Sequence, residues 1–361
     1  MTTTILSIKD VQKIVQHVGL DGLMDEMIDR LTEAIVAFDT QATHVRTRDG
    51  FHYANPDMGL LEWMPVLHLS GRITIKTVGY HPTNPDKRNL PTILGTISSF
   101  DTQSGHLIGI ADGTFVTALR TGAASAVASA VLASPEASVL GLIGCGAQAV
   151  TQLHALARRF PIQKVLIHDA DPAAEQDFAA RVAALHIPAE IEIAPLARLI
   201  PSADILCTAT SVGIGGGPVF EDIQTKPGLH INAAGSDFPG KVELPVSLLR
   251  RSFVCPDVRE QCLREGECQQ LAPEEIGADL AEVVKHPAQY EHLRHQSTVF
   301  DSTGWALEDH VAMELLLSHA NHLGLGTEIQ IESYSADVKD PYQFLSQSSV
   351  IDHQSSVNGL G

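Results

Sequence analysis

Four side chains have the type and setting for chemistry. Asp237 lies in Gly235-Ser-Asp-Phe-Pro-Gly-Lys, directly after Leu229-His-Ile-Asn-Ala-Ala, which reads as a strand. An acid in a loop leaving the carboxyl end of a sheet strand is placed for general acid/base work on a bound ligand. The alternative, an Asx-type turn residue, stays open at this level. Arg120 opens a helix in an otherwise small and apolar segment, and its planar fork suits a carboxylate or a pyrophosphate. Lys76 sits in the middle of a β-type run, Arg72-Ile-Thr-Ile-Lys-Thr-Val-Gly-Tyr. It is either a functional cation on the covered face or a lysine on the exposed one, because an unpaired buried ammonium is costly. Glu62, in Leu61-Glu-Trp-Met-Pro, is an acid among apolar neighbours that could face an ammonium group.

A fifth feature supplies a cofactor. Val139-Leu-Gly-Leu-Ile-Gly-Cys-Gly-Ala-Gln-Ala-Val150 runs from an apolar strand into a helix, and Lys164-Val-Leu-Ile-His-Asp169 ends in an acid 23 residues after Gly146. That is the spacing of a Rossmann dinucleotide turn. Gly144 allows the tight turn and Gly146 lets the backbone approach a pyrophosphate, while free N–H groups of the following helix face it. Asp169 would accept hydrogen bonds from the ribose hydroxyls and repel a 2′-phosphate, so NAD is expected over NADP. Ala149 stands where the fingerprint usually has its third glycine, which loosens helix–strand packing only slightly.

The elements that must position these groups fall into two sets. Residues 7 to 38 read as two helices, the first capped by Ser7, the second running from about Asp21 to Phe38. From 44 to 118 the pattern changes to short β-type runs: Gly59–Pro65, Arg72–Tyr80, Thr92–Phe100 and His106–Ala111, separated by turn residues. After the small-residue helix at Arg120, strands at Val139–Ile143, Lys164–His168, Glu190–Ile193, Ile205–Thr208, Leu229–Ala233 and Ser252–Cys255 alternate with helices at 147–159, 172–185 and Leu196–Ile200. The fold class is therefore α/β: a Rossmann-type doubly wound parallel sheet joined to an α+β domain. The boundaries follow as 1–128 for substrate binding and dimerisation, 129–306 for NAD, and a C-terminal helical segment, 307–345, that returns to the first domain. Residues 346–361, rich in Ser, Gln, Gly and Asn, are expected to be a disordered tail.

Composition narrows the function. The chain has 361 residues, 44% of them hydrophobic, enough for two ordinary cores. A net charge of −19 leaves no basic surface for nucleic acid, so a small molecule is the expected partner. The longest apolar runs, such as Ala123 to Ala133, fall short of a bilayer span, so no membrane segment is expected. The start, Met-Thr-Thr-Thr-Ile-Leu-Ser, has no basic stretch followed by an apolar one, and a cytoplasmic location is the expectation. Five cysteines, none in a CxxC pair, read as reduced thiols, and neither they nor His292 and His295 have metal-site spacing, so no metal is expected.

Taken together, several stretches resemble the ornithine cyclodeaminase/μ-crystallin family. They are Glu-Trp-Met-Pro, Lys-Thr-Val-Gly-Tyr-His-Pro-Thr-Asn-Pro, Leu-Pro-Thr-Ile-Leu-Gly-Thr, Thr-Ala-Leu-Arg-Thr-Gly-Ala-Ala-Ser-Ala, Gly-Cys-Gly-Ala-Gln-Ala, Gly-Ser-Asp-Phe-Pro-Gly-Lys-Val-Glu-Leu, Arg-Glu-Gly-Glu-Cys-Gln-Gln-Leu and Val-Phe-Asp-Ser-Thr-Gly. The likeness covers residues 5 to 343, and within the family it is greatest to the branch that makes pipecolate from lysine. It implies a homodimer and assigns roles to the matching positions. Arg48, Lys76 and Arg120 would hold the α-carboxylate, with Arg46 close by as the competing match for Arg48. Asp237 would be the general acid/base, and Glu62 would lie near the substrate amine. Gly144, Gly146, Ala147, Gln148, Asp169, Thr210, Ile231, Asn232, Ala233, Ala234, Lys241, Ser302 and Thr92 would contact the dinucleotide together with Arg120, and Thr303 the substrate.

The same resemblance implies an activity: an NAD-dependent cyclodeaminase that closes L-lysine to L-pipecolate, or L-ornithine to L-proline, with loss of ammonia. Ketimine reductases of the μ-crystallin type lack both acids, whereas this chain has Glu62 and Asp237. The rivals are a ketimine reductase or amino-acid dehydrogenase on the same scaffold, and a non-catalytic binder of nucleotide and small ligand.

Overall fold

The computed structural model describes residues 1–347. The first domain begins with β1 (Thr3–Leu6), α1 (Ile8–Val18), α2 (Leu20–Val36), β2 (Thr43–Val45) and β3 (Asp49–Tyr53). It continues through β4 (Gly59–His68), β5 (Arg72–Tyr80), α3 (Asn84–Arg88), β6 (Ile93–Asp101), β7 (Leu107–Asp112) and α4 (Gly113–Leu132). Ser7 does cap α1, in a reciprocal box with Asp10.

Helix α4 starts earlier than expected. The Asp112 carboxylate accepts the amides of Thr114 and Phe115, so the cap precedes Arg120 and places it two turns inside the helix. By length and apolarity α4 could cross a membrane, which the run lengths alone had not suggested, but 83% of its most apolar window is buried within the protein. Small residues let it sit close to its neighbours: a Cβ at Gly122 would lie 2.4 Å from the Thr151 carbonyl oxygen.

The second domain holds β8 (Val139–Ile143), α5 (Ala147–Arg159), β9 (Lys164–His168), α6 (Pro172–Val182), β10 (Glu190–Ile193), α7 (Leu196–Ser202) and β11 (Ile205–Thr208). Then come β12 (His230–Ala233), α8 (Val246–Arg250), β13 (Phe253–Pro256), α9 (Arg259–Glu265), α10 (Leu280–Lys285), α11 (Pro287–Tyr290) and β14 (Thr298–Asp301). Every pairing in this sheet is parallel, in the order β10-β9-β8-β11-β12-β14-β13. The strand order reverses between β8 and β11, which is where α/β sheets open a ligand crevice. Strand β14, not anticipated from its short sequence, inserts between β12 and β13.

The chain then returns as α12 (Ala306–Leu323), β15 (Thr327–Ile329) and α13 (Phe344–Gln347). The expected helical segment 307–345 is thus shorter: Gly324, at φ +64°, ends the helix, and β15 adds antiparallel to β1. The tail expected to be disordered begins inside α13, and its residues from 348 on lie outside the described residues.

Sheet one runs β15-β1-β7-β6-β5-β4-β2, with β3 also paired to β4. One hydrophobic core joins α1, α2, α4 and α12 to Phe300 and Cys255 of the second sheet. Across the surface, Arg158 of α5 grips Asp21 at 2.9 Å and Asp25 at 2.6 Å on α2. The cofactor helix is thereby tied to the first domain.

Candidate active site

Strand register decides the first question the sequence left open. Lys76 pairs with Met64, and Val78 with Glu62, so all four side chains leave the same face of β4 and β5. That face is covered by α4 and α12, and Lys76 is only 1% exposed. Its ammonium is held 2.8 Å from Asp309 of α12. Arg120 lies beside it, with Nη1 2.7 Å from Glu308 and Nε 3.3 Å from Asp309. Burial, reinforced by the Arg120 charge, pushes the Lys76 ammonium down to about 8, and burial pushes the Glu308 carboxyl up to about 7.

Arg48, in the connection between β2 and β3, completes the cationic group. Its Nε is 2.8 Å from Glu265, its Nη1 is 3.5 Å from Glu62, and its Nη2 donates to the Thr303 carbonyl. Burial raises the Glu265 carboxyl to about 7, against the Arg48 charge. Arg46 lines a different groove, with Pro65 and Trp305, so of the two neighbouring arginines Arg48 is the one in the site.

These cations form one wall of a partly open cleft lined by both domains. Across it stand Gln148 at the start of α5 and Ala234, Asp237, Lys241, Ser302 and Thr303 of the parallel sheet's loops. The Asp237 carboxylate is 3.0 Å from the Lys241 ammonium and remains one-third exposed. Thr303 donates to Asp257 at 3.0 Å and accepts from Gln261 at 2.7 Å. The Ser302 hydroxyl is buried with no partner among the described residues, and it lines this cleft.

The glycine turn fits a dinucleotide. Gly144 has φ +94°, and a Cβ there would sit 2.5 Å from the Ala209 carbonyl oxygen. Gly146 precedes α5 with no side-chain cap, and a Cβ there would meet nothing within 4 Å. The first amides of α5, Ala147 and Gln148 among them, therefore face open space at the reversal point of the sheet. Ala149 is 1% exposed, and its methyl packs in the helix–strand core. Asp169, at the end of β9, accepts the Cys145 amide at 2.6 Å, which holds its carboxylate at the rim of the turn.

Not every expected contact comes together. Ile231, Asn232 and Ala233 are fully buried in β12, and the Asn232 amide donates to the Ser129 hydroxyl at 3.0 Å. A central parallel strand is covered on both faces, so only Ala234, just beyond it, reaches the cleft. Thr92 offers its carbonyl to the His81 amide, and its neighbour Ile93 lines the cleft instead. Thr210 sits beyond β11 and gives its amide to Glu243 at 2.7 Å.

Sequence reasoning missed two groups. Glu243, Glu267 and Asp301 form a buried run of carboxylates that accept backbone amides. Glu243 binds Gly235 at 2.9 Å, Glu267 binds Glu243 at 2.7 Å, and Asp301 binds Glu267 at 2.9 Å. They brace the loops that carry Asp237, Lys241 and Ser302. The second group is Glu308 and Asp309. An acidic pair at a helix start reads as ordinary dipole compensation, and its one signal was the largely apolar run, Val311-Ala-Met-Glu-Leu-Leu-Leu317, that follows.

Comparisons with known proteins agree with this geometry. The ornithine cyclodeaminase/mu-crystallin family model matches residues 8–322. An L-lysine cyclodeaminase of Streptomyces rapamycinicus is 42% identical over 343 residues, 95% of this chain and 99% of that protein. A solved lysine cyclodeaminase, whose structure addresses the recognition of L-lysine, L-ornithine and L-2,4-diaminobutyric acid, superposes with a TM-score of 0.92 at 47% identity, covering 95% and 99% of the two chains. An archaeal alanine dehydrogenase dimer with bound NAD superposes with a TM-score of 0.79 at 30% identity, covering 92% and 100%. The matched span takes in both the cationic wall and the glycine turn, and the chain belongs to the ornithine cyclodeaminase/mu-crystallin family.

Proposed function

We propose that this chain is an NAD-dependent cyclodeaminase, an ammonia-lyase that closes an L-diamino acid into a cyclic imino acid. L-Lysine would give L-pipecolate, and L-ornithine L-proline. The observation that carries this reading is one cleft in which Lys76, Arg120 and Arg48 face two acids, Glu62 and Asp237. Three cations suit an α-carboxylate, and the acids suit a terminal ammonium. A plain reductase or dehydrogenase substrate has no second amine for them to meet.

The site has a division of labour. Gly144, Gly146, Gln148 and Asp169 would hold NAD, which supplies a hydride acceptor for Cα and a hydride donor for the ring carbon. The clamp fixes the α-carboxylate and so orients Cα. Asp237 takes a proton from the terminal ammonium, and the freed amine attacks the carbon of the C=N bond. Ammonia departs with a proton returned by the same acid, with no net oxidation.

The test is incubation of purified protein with NAD⁺ and each diamino acid. Ammonia and a cyclic product, with no lasting absorbance change near 340 nm, is the expected result. Net formation or consumption of NADH would favour the dehydrogenase or reductase reading. Separating proline from pipecolate assigns the chain length, which one methylene sets by only about 1–3 kcal/mol.

A homodimer belongs to the same reading. Phe51 and Leu61, directly paired on β3 and β4, are 68% and 43% exposed, an apolar edge suited to a second copy. Light scattering in solution would test it. A cytoplasmic location suits the five buried, unpaired thiols.

A further inference from the structure

The reaction proposed above must part with two protons before it takes two back. Loss of hydride from Cα requires the α-ammonium to shed one, so that its nitrogen can form the C=N bond. Ring closure requires the terminal ammonium to shed another, since only the free amine has a lone pair to offer. Both return at the end, one to the departing ammonia and one to the ring nitrogen. A single carboxylate such as Asp237 holds one proton. A second acceptor facing the cleft would let both protons be held at once.

Most cleft side chains do not qualify. Arg48 and Arg120 stay charged. The Lys76 ammonium already donates to Asp309 and belongs to the carboxylate clamp. Lys241 is committed to Asp237, and Tyr80 is buried enough to keep its phenol proton. Glu62 remains, but it is only 5% exposed and sits at the base of the wall.

Its link to solvent is His52. The His52 Nε2 is 3.3 Å from Glu62 Oε1, the ring lines the cleft, and 48% of the side chain is exposed. The other oxygen of Glu62 faces Arg48 at 3.5 Å, leaving Oε1 to the imidazole. The neighbouring Tyr53 is engaged elsewhere, its hydroxyl 2.6 Å from His81. On the opposite side the His52 ring packs at a tilt of 46° against Phe238, centroids 4.8 Å apart, and Phe238 directly follows Asp237. The carboxylate, the imidazole and the acid/base loop thus meet across the cleft, with Glu265 behind Arg48 as the remaining charged group nearby.

We propose that Glu62 and His52 form a proton relay, in which Glu62 accepts the second proton from substrate and His52 passes it to solvent and back. An imidazole suits the outer position because one ring nitrogen can accept a proton while the other donates one. The relay rests on the cyclodeaminase reading. Its atoms balance: two N–H bonds break on the substrate, one O–H bond forms on each carboxylate, and both protons end on product nitrogens.

The test uses the full-length protein with NAD⁺ and L-lysine or L-ornithine, reading ammonia release. His52→Gln should lower kcat by about tenfold or more with little change in KM. Added imidazole should restore much of the rate to His52→Gln, and His52→Phe, which keeps a ring against Phe238, should be as slow. An unchanged kcat in either variant overturns the relay. So does a loss confined to KM, or one that imidazole leaves untouched, since His52 would then serve only as packing. Wild-type protein that releases no ammonia from either diamino acid removes the cyclodeaminase reading itself, and the relay with it.

Discussion

Lys76 and Asp309 are 233 residues apart in the chain and 2.8 Å apart in the fold. Their pairing turns a costly buried ammonium into part of a binding wall, because each charge is tolerable only beside the other. Asp309→Asn should leave the Lys76 ammonium without its acidic partner, while Arg120 keeps Glu308. The expected loss is about 3–5 kcal/mol of folding free energy, read as a lower urea midpoint. An unshifted midpoint would mean that the pair is dispensable to the fold.

Asp237→Asn retains an oxygen to accept from Lys241 but cannot take a proton at neutral pH. Turnover should fall by about 10²–10⁴-fold, while NAD binding, followed by fluorescence titration, is preserved. Near wild-type turnover would remove Asp237 from the chemistry.

The Glu308 carboxyl has a pH signature. Burial raises it to about 7, so in the folded protein it keeps its proton below that pH and loses it above. Neutral Glu308 leaves Arg120 free for the substrate carboxylate, whereas ionised Glu308 competes for it. KM for the diamino acid should therefore rise several-fold between about pH 6 and 8, given about 1.4 kcal/mol per unit of pKa. Glu308→Gln should flatten that dependence, and a profile identical to wild type would count against the competition.

The two glycines of the turn should respond differently to alanine. Gly144→Ala forces a side chain at φ +94° and against the Ala209 carbonyl, so the protein itself should lose about 1–3 kcal/mol. Gly146→Ala meets open space, so the thermal midpoint should hold while NAD affinity drops about tenfold or more, or about 1.4 kcal/mol. Equal NAD affinity in Gly146→Ala would place the pyrophosphate elsewhere.

Much of the second domain was legible because its signals are local. An apolar strand, a glycine turn and a helix occupy adjacent residues, and Asp169 follows at the expected interval, so periodicity and turn chemistry suffice to read them. The same holds for the Ser7 cap and for the runs at β4, β5, β6 and β7. Boundaries drifted where a side chain several residues away decides them, as Asp112 does for the start of α4. Short strands such as β1, β2, β14 and β15 have too few residues for a period to show, and β1 is paired only through partners far along the chain.

The sequence by itself determined a dinucleotide turn with an acid at its rim, an alternating strand–helix half, and a set of cations and acids of the right types. It could not determine which of them meet. Lys76 could lie on either face of its strand until the register with β4 placed it under α12, and Arg48 had Arg46 as a competing match until it reached Glu265. Asn232 was a cofactor contact until β12 was covered on both sides. Glu308 and Asp309 were helix-start acids until α12 returned across the first domain. Each of these outcomes depends on contacts between segments more than a hundred residues apart or on strand pairing, and such contacts exist only once the whole chain has packed.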